Sequence, residues 1–384
     1  MSIRVNPKYI DELVAYGAED VQLCYHCGDC STVCPHADNV YKFPRKSMRL
    51  LQMGLNRKIE TTLEPWLCYY CGQCSEQCPR EADPGETMMS LRRWLIGKYD
   101  FTGIAKQFFK SKTTEILTVI GIAIITGILL LLKGFSSGNI SIYDGEGAFL
   151  PSHFIHTVDL ILGIGIVVIL AINALRMCYF VIIKGSDFHI PWYLFIKKIL
   201  LLPWHFFTQK RYADCDEEDR LVYTPWLAHL GIMLGYFAML VIVIVALPQL
   251  QYGPEIDWSV HIPAYLSAFG LVVGTIYMIR SRIKQNHIQY KKTHSTDWMF
   301  IVLLFIIVIT GVIQHVFHRV GMLEAANITY IVHLMAVIPW FFRMPFSKWA
   351  HMIYRPLAMY LAAVRREALV GHEVKLPAYY LSFK

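Results

Sequence analysis

Residues 23–35 read LCYHCGDCSTVCP, and residues 67–79 read LCYYCGQCSEQCP. Each copy spells C-x2-C-x2-C-x3-C followed by proline: Cys24, Cys27, Cys30 and Cys34 before Pro35, then Cys68, Cys71, Cys74 and Cys78 before Pro79. Three thiolates at two-residue intervals suit three corners of a cubane iron–sulfur cluster. In two-cluster ferredoxins the fourth cysteine of such a run ligates the other cluster. On that rule one [4Fe–4S] cluster takes Cys24, Cys27, Cys30 and Cys78, and the other takes Cys68, Cys71, Cys74 and Cys34. Structural zinc sites present two separated C-x2-C pairs and stop at four ligands, whereas here each loop alone supplies four cysteines. Gly28 and Gly72 leave room for close backbone approach.

Outward from the loops, eight of the ten cysteines are accounted for. The opening MSIRVNPKYIDELVAYG has no signal-peptide pattern, so a reducing cytoplasm and metal ligation are expected rather than disulfides. NPKYIDELVAYG and SMRLLQMGL predict short amphipathic helices around the loops. No G-x-G-x-x-G stands between a strand and a helix, since GIGIVV at 163–168 lies inside an apolar run. There is also no adjacent Cys-Cys pair. The clusters therefore read as relays to chemistry on a partner.

The rest of the chain is of another kind. Hydrophobic residues make up 55% and charged residues 17% of the sequence, too apolar for an ordinary soluble protein. The net charge of +7 does not gather in one patch, which argues against nucleic acid. Apolar runs at about 115–133, 154–183, 226–247, 260–279, 297–317 and 327–346 are each long enough to cross roughly 30 Å of hydrocarbon. Segments 135–152 and 248–260 lack Lys and Arg and carry Asp144, Glu146, Glu255 and Asp257. Segments 184–220 and 280–294 are basic, with Lys197, Lys198, Arg220, Arg282 and Lys292 among others. Positive loops stay inside, which puts both termini in the cytoplasm of an inner-membrane protein. The fold expected is mostly α. A cytoplasmic two-cluster ferredoxin-like domain (1–100) and a linker (101–114) precede a six-helix transmembrane cytochrome b bundle (115–351) and a cytoplasmic tail (352–384).

Histidines inside a bilayer are costly and mark function. His229 opens the third span and His351 follows the sixth, so both lie at the cytoplasmic mouth and can meet around one b haem. His333 is the first ligand expected for an outer haem, with His315, His156 or Met239 as its partner. His333 and His351 are 18 residues apart, which on one unbroken helix is five turns and roughly 27 Å. Pro339 and Pro345 weaken that continuity. His153, His261 and His318 are read as interfacial hydrogen-bonding residues. Arg319 with His318, or Arg343 with Lys348, are candidates for a quinone site, and Arg176 and Arg343 for haem propionates or lipid phosphates.

The stretch VHLMAVIPWFFRMPFSKWAHMIYRPLAMY (332–360) resembles the last helix of the cytochrome b component of membrane nitrate reductase and its relatives. In that family this helix carries one histidine for each of two b haems, matching His333 and His351. An earlier helix supplies the other two, ten residues apart. WLAHLGIMLGYFAML gives His229 for the first but Met239 for the second, a departure from the pattern. Residues 1–100 resemble the C-type subunit of heterodisulfide reductase. The fusion resembles the C-type subunit of the quinone-interacting membrane-bound oxidoreductase complexes of sulfate reducers. That resemblance implies menaquinone as exchangeable substrate and cytoplasmic flavin- and cluster-bearing partners resembling the A-type subunit of heterodisulfide reductase. Adenylylsulfate reductase would follow downstream.

Overall fold

A computed structural model describes residues 4–137, 152–186, 188–213, 223–251, 256–285 and 288–373. Asp144, Glu146, Glu255, Arg220, Cys215 and the chain beyond Glu373 lie outside the described residues, as do the side chains of His153 and His156. Among the described residues there is no β-strand.

The cysteine-bearing part is built from short helices: α1 (Tyr9–Val14), α2 (Arg45–Gln52), α3 (Pro84–Tyr99) and α4 (Ile104–Lys110). The start of α3 is set chemically. Asp83 accepts from the Glu86 N–H at 3.1 Å, and Pro84 occupies the first turn, where no N–H is needed. Tyr9, Leu13, Met48, Leu51, Trp66, Leu91 and Trp94 close the core beneath, all at most 1% exposed. The predicted amphipathic segments appear as α1 and α2.

Six long apolar helices follow. They are α5 (Lys112–Ser137), α6 (Ser152–Cys178), α8 (Tyr223–Gln251), α9 (Trp258–Lys284), α10 (Ser295–Arg319) and α11 (Leu323–Arg343), with the short apolar α7 (Leu201–Thr208) between α6 and α8. All six are long and apolar enough to cross a membrane. Leu129, Val167, Leu175, Ile244 and Phe269 point outward, a surface that suits lipid and would not stay dispersed in water. Helices α8 and α9 approach backbone to backbone through glycine. A Cβ on Gly235 would stand 2.8 Å from the Ser267 carbonyl oxygen, and one on Gly274 would stand 2.7 Å from that of Ala228.

The sixth span does not run on to His351. Helix α11 ends at Arg343, and two 3-10 turns (Met344–Phe346, Lys348–Ala350) meet at an extended Ser347. Pro345 cannot supply a helical N–H, so the turn falls there. The five-turn helix carrying His333 and His351 on one face is therefore broken, and the simple 27 Å rise does not apply. His351 instead begins α12 (His351–Glu373). Residues 352–373, expected as a tail, form this helix and bury Tyr354, Ala358, Leu361 and Val364.

The cysteine-bearing domain and the helix bundle are tied by specific bonds. Arg176 on α6 donates to the carbonyls of Tyr99 and Lys98 at 2.8 and 3.2 Å, holding the end of α3. Tyr41 donates to the Ala362 carbonyl at 3.1 Å, and Trp66 packs on Tyr354 at 5.2 Å between ring centroids. Arg93 of α3 lies 3.6 Å from the Asp297 carboxylate of α10, which also holds Lys348 at 3.0 Å.

Candidate redox centres

Each cysteine loop places its third cysteine, Cys30 or Cys74, on a one-turn helix, Asp29–Thr32 or Gln73–Glu76, entered through a left-handed glycine. Gly28 has φ +104° and Gly72 φ +96°, a conformation that any larger residue adopts only with strain. Backbone N–H groups flanking the second loop's turn reach the thiols. The Tyr70 N–H donates to Cys68 Sγ at 3.3 Å, and the Ala82 N–H to Cys78 Sγ at 3.4 Å. Such bonds suit a sulfur that carries negative charge.

The loops interlock. Cys34 of the first loop lines one cavity with Cys68, Cys71 and Cys74 of the second. Burial pushes the Cys34 thiol up to about 11, and the Cys68 and Cys71 thiolates beside it push the same way. Burial likewise pushes Cys30 up to about 11, with Cys24, Cys27 and Cys78 as its thiolate neighbours. The last cysteine of each loop thus stands near cysteines of the other loop: Cys34 beside Cys68, Cys71 and Cys74, and Cys78 beside Cys30. Thiols raised in this way ionise readily only when a metal replaces the proton. Among the described residues no three or more His, Cys, Asp or Glu side chains converge as they would on a single metal ion. Around the second loop the cysteines ring a cavity, an arrangement that fits a polynuclear cluster.

At the bundle end nearest these loops, His229 and His351 face each other with ring centroids 6.1 Å apart. Two imidazoles that share one metal atom through bonds of about 2 Å place their centroids at about this distance. Both rings are fixed by their far nitrogen. His351 Nδ1–H donates to the Lys348 carbonyl, and His229 Nδ1 meets Gln209 Oε1 at 2.7 Å. Each Nε2 is left to accept, the tautomer that a metal-binding imidazole requires. The cavity beside them is lined by Phe206, Met233 and Met359 among its apolar residues and by Tyr69, His205, Gln209 and Arg355 among its polar ones. This donor set and wall fit a b-type haem.

His333 is prepared in the same way deeper in the bundle. The single proton of the Thr310 hydroxyl goes to the Ile306 carbonyl at 2.7 Å, so Thr310 Oγ1 accepts from His333 Nδ1–H at 2.9 Å. Its ring lies against Gly311, where a Cβ would stand 3.1 Å from Cε1. The three partners expected for it differ. His315 meets the Tyr265 hydroxyl through Nε2 at 3.0 Å and packs beside His261 at 5.6 Å. Met239 is half-buried against the core. The His156 side chain lies outside the described residues.

Several charged candidates are engaged elsewhere. Arg343, 1% exposed, is paired with a fully buried Glu115, and Lys348 with Asp297, while Arg176 caps α3. Arg319 donates to His261 Nε2 at 2.7 Å. It therefore joins His261, His315 and Tyr265 in one polar group at the bundle end away from the cysteine loops. Sequence reasoning passed over Glu115, Asp297, Tyr69 and Arg355. An acid at the edge of an apolar run was the available signal for the first two.

Residues 20–82 match the 4Fe-4S dicluster domain. The chain is 32% identical over 96 residues to a heterodisulfide reductase C-subunit-like protein of Archaeoglobus profundus, a match covering 25% of this chain and 51% of that protein. The chain thus spans about half the length of the curated relative it matches. No solved structure matches the chain significantly. Residues 20–82 are an iron–sulfur electron-transfer module resembling the C-type subunit of heterodisulfide reductase, carried on a six-helix bundle apolar enough to cross a membrane.

Proposed function

We propose that the chain is the membrane electron-transfer subunit of an oxidoreductase. It passes electrons between menaquinone and cytoplasmic flavin- and cluster-bearing proteins resembling the A-type subunit of heterodisulfide reductase, with adenylylsulfate reductase downstream in dissimilatory sulfate reduction. The observation that carries this reading is the His229–His351 pair beside the cysteine loops.

Cys24, Cys27, Cys30 and Cys78 hold one [4Fe–4S] cluster, and Cys34, Cys68, Cys71 and Cys74 hold the other. His229 and His351 hold an inner b haem and His333 an outer one. When bound, these groups supply reversible one-electron transfer. Gln209, the Lys348 carbonyl and Thr310 keep the ligating imidazoles in one tautomer and one orientation. The basic segments favour a cytoplasmic position for the cysteine loops. On that topology Arg319, His261, His315 and Tyr265 stand at the outer side, where they offer donors and acceptors to a quinone headgroup and to its protons.

The similarity to a heterodisulfide reductase C-subunit-like protein favours one second reading: the equivalent membrane component of a heterodisulfide- or sulfite-linked enzyme. Co-purification of the partner proteins separates the two readings. The common part is tested by adding a menaquinol analogue to the purified complex. Reduction of a b-type haem band is expected, and failure to reduce any haem would overturn it.

A further inference from the structure

The two candidate redox sites nearest each other share a wall. Tyr69, adjacent in sequence to Cys68, lines both the cavity of Cys34, Cys68, Cys71 and Cys74 and the cavity beside His229 and His351. Its ring stacks on Tyr212 at 6.0 Å with 19° between planes, and Tyr212 meets the edge of His229 at 6.0 Å. On the cluster side His36, just past Cys34, lies 5.1 Å from Tyr69. Arg355 spans the same wall. Its guanidinium stands 4.1 Å over the Tyr69 ring, its Nη2 donates to the Cys68 carbonyl at 3.3 Å, and it lines the histidine cavity.

The other cysteine group is placed differently. No cysteine is among the described residues lining the histidine cavity, but Tyr69 beside Cys68 is, whereas no residue of the first loop and no neighbour of Cys78 is. Cys27 is exposed, and Tyr25 beside it is 58% exposed. The charges differ too. Arg92, 9% exposed, joins Arg355 on the single Cys68 carbonyl. Near the first group, Arg45 donates to the His26 carbonyl at 3.1 Å from an exposed position, where water screens it. A cation held out of water beside an iron–sulfur site stabilises the added electron and raises the reduction potential.

We propose that the Cys34–Cys68–Cys71–Cys74 site is the one that exchanges electrons with the His229–His351 site, across Tyr69. Arg92 and Arg355 hold it at the higher potential of the two cluster sites. The Cys24–Cys27–Cys30–Cys78 site stands beyond it, toward the surface. In each exchange one site is oxidised by one electron and the other reduced by one, and no bond or proton moves. This inference rests on the proposed haem- and cluster-bearing function.

The test is an EPR-monitored redox titration of the full chain, with haem and acid-labile sulfide measured on each sample. Arg355→Gln and Arg92→Gln are each expected to lower the potential of the same cluster, which Arg45→Gln leaves in place. In the wild type that cluster's signal is expected to relax faster when the haem is in its paramagnetic oxidised form. Tyr69→Leu is expected to slow its equilibration with the haem. Should Arg92→Gln fail to assemble, the more exposed Arg355→Gln carries the assignment. The inference is overturned if the haem-coupled cluster is the one that Arg45→Gln moves, or if Arg355→Gln moves neither with both clusters and haem present. Wild-type chain lacking haem or sulfide overturns the proposed function itself, and the inference with it.

Discussion

His229 of α8 and His351 of α12 stand 6.1 Å apart between ring centroids, each with its Nδ1 engaged and its Nε2 free to accept. Replacing either by alanine is expected to remove the same b haem and leave the sulfide content unchanged. His333→Ala is expected to remove a different one. Haem quantification with low-temperature spectra checks both outcomes. Loss of unrelated bands from His229→Ala and His351→Ala would separate the pair.

Crosswise assignment of the cysteines makes a sharper demand. Cys34→Ser, although it lies in the first loop, is expected to disturb the cluster of Cys68, Cys71 and Cys74. Cys78→Ser is expected to disturb that of Cys24, Cys27 and Cys30. EPR of the two variants distinguishes this from loop-by-loop ligation, in which each substitution would affect its own loop.

Arg343 and Glu115 form a buried ion pair between α11 and α5. Removing one partner leaves an uncompensated charge, and Arg343→Leu alone is expected to cost about 3–5 kcal/mol. The double variant Arg343→Leu, Glu115→Leu is expected to recover much of that loss. Thermal unfolding in detergent measures both. A double variant as unstable as the single one would assign the pair a role other than mutual neutralisation.

His294 caps α10 as a neutral imidazole: its Nδ1 accepts from the Thr296 N–H at 3.3 Å. Burial, with Arg93 nearby, lowers its pKa from 6.5 to about 4. Its folded-state value is depressed, so its unfolded form takes up a proton first. Its contribution to stability is full above pH 6.5 and falls as the pH drops toward 4. Melting temperatures across that window should fall more steeply in the wild type than in His294→Asn, which can cap without titrating.

Much of this was legible in the sequence. Cysteine spacing is a local pattern, fixed by the reach of consecutive thiolates, and the apolar runs are long enough to stand out by composition. The meeting of His229 and His351 followed from their place at the same membrane edge. The break before His351 was only half legible. Pro345 marked a weak point, but no local signal specifies the buried, extended Ser347 that turns the chain into α12. Tyr69 and Arg355 were hidden for a related reason: nothing in LCYYCG or MIYRPL says that the two stretches touch. The pairing of Glu115 with Arg343 likewise joins residues distant in the chain.

The most direct test is the composition of the purified full-length chain. About eight acid-labile sulfides per chain are expected, with iron exceeding sulfide by the haem content and a b-type spectrum that reduces and reoxidises. A colourless chain that holds zinc, carries no sulfide and shows no reducible haem band would contradict the assignment of both the cysteine loops and the histidines.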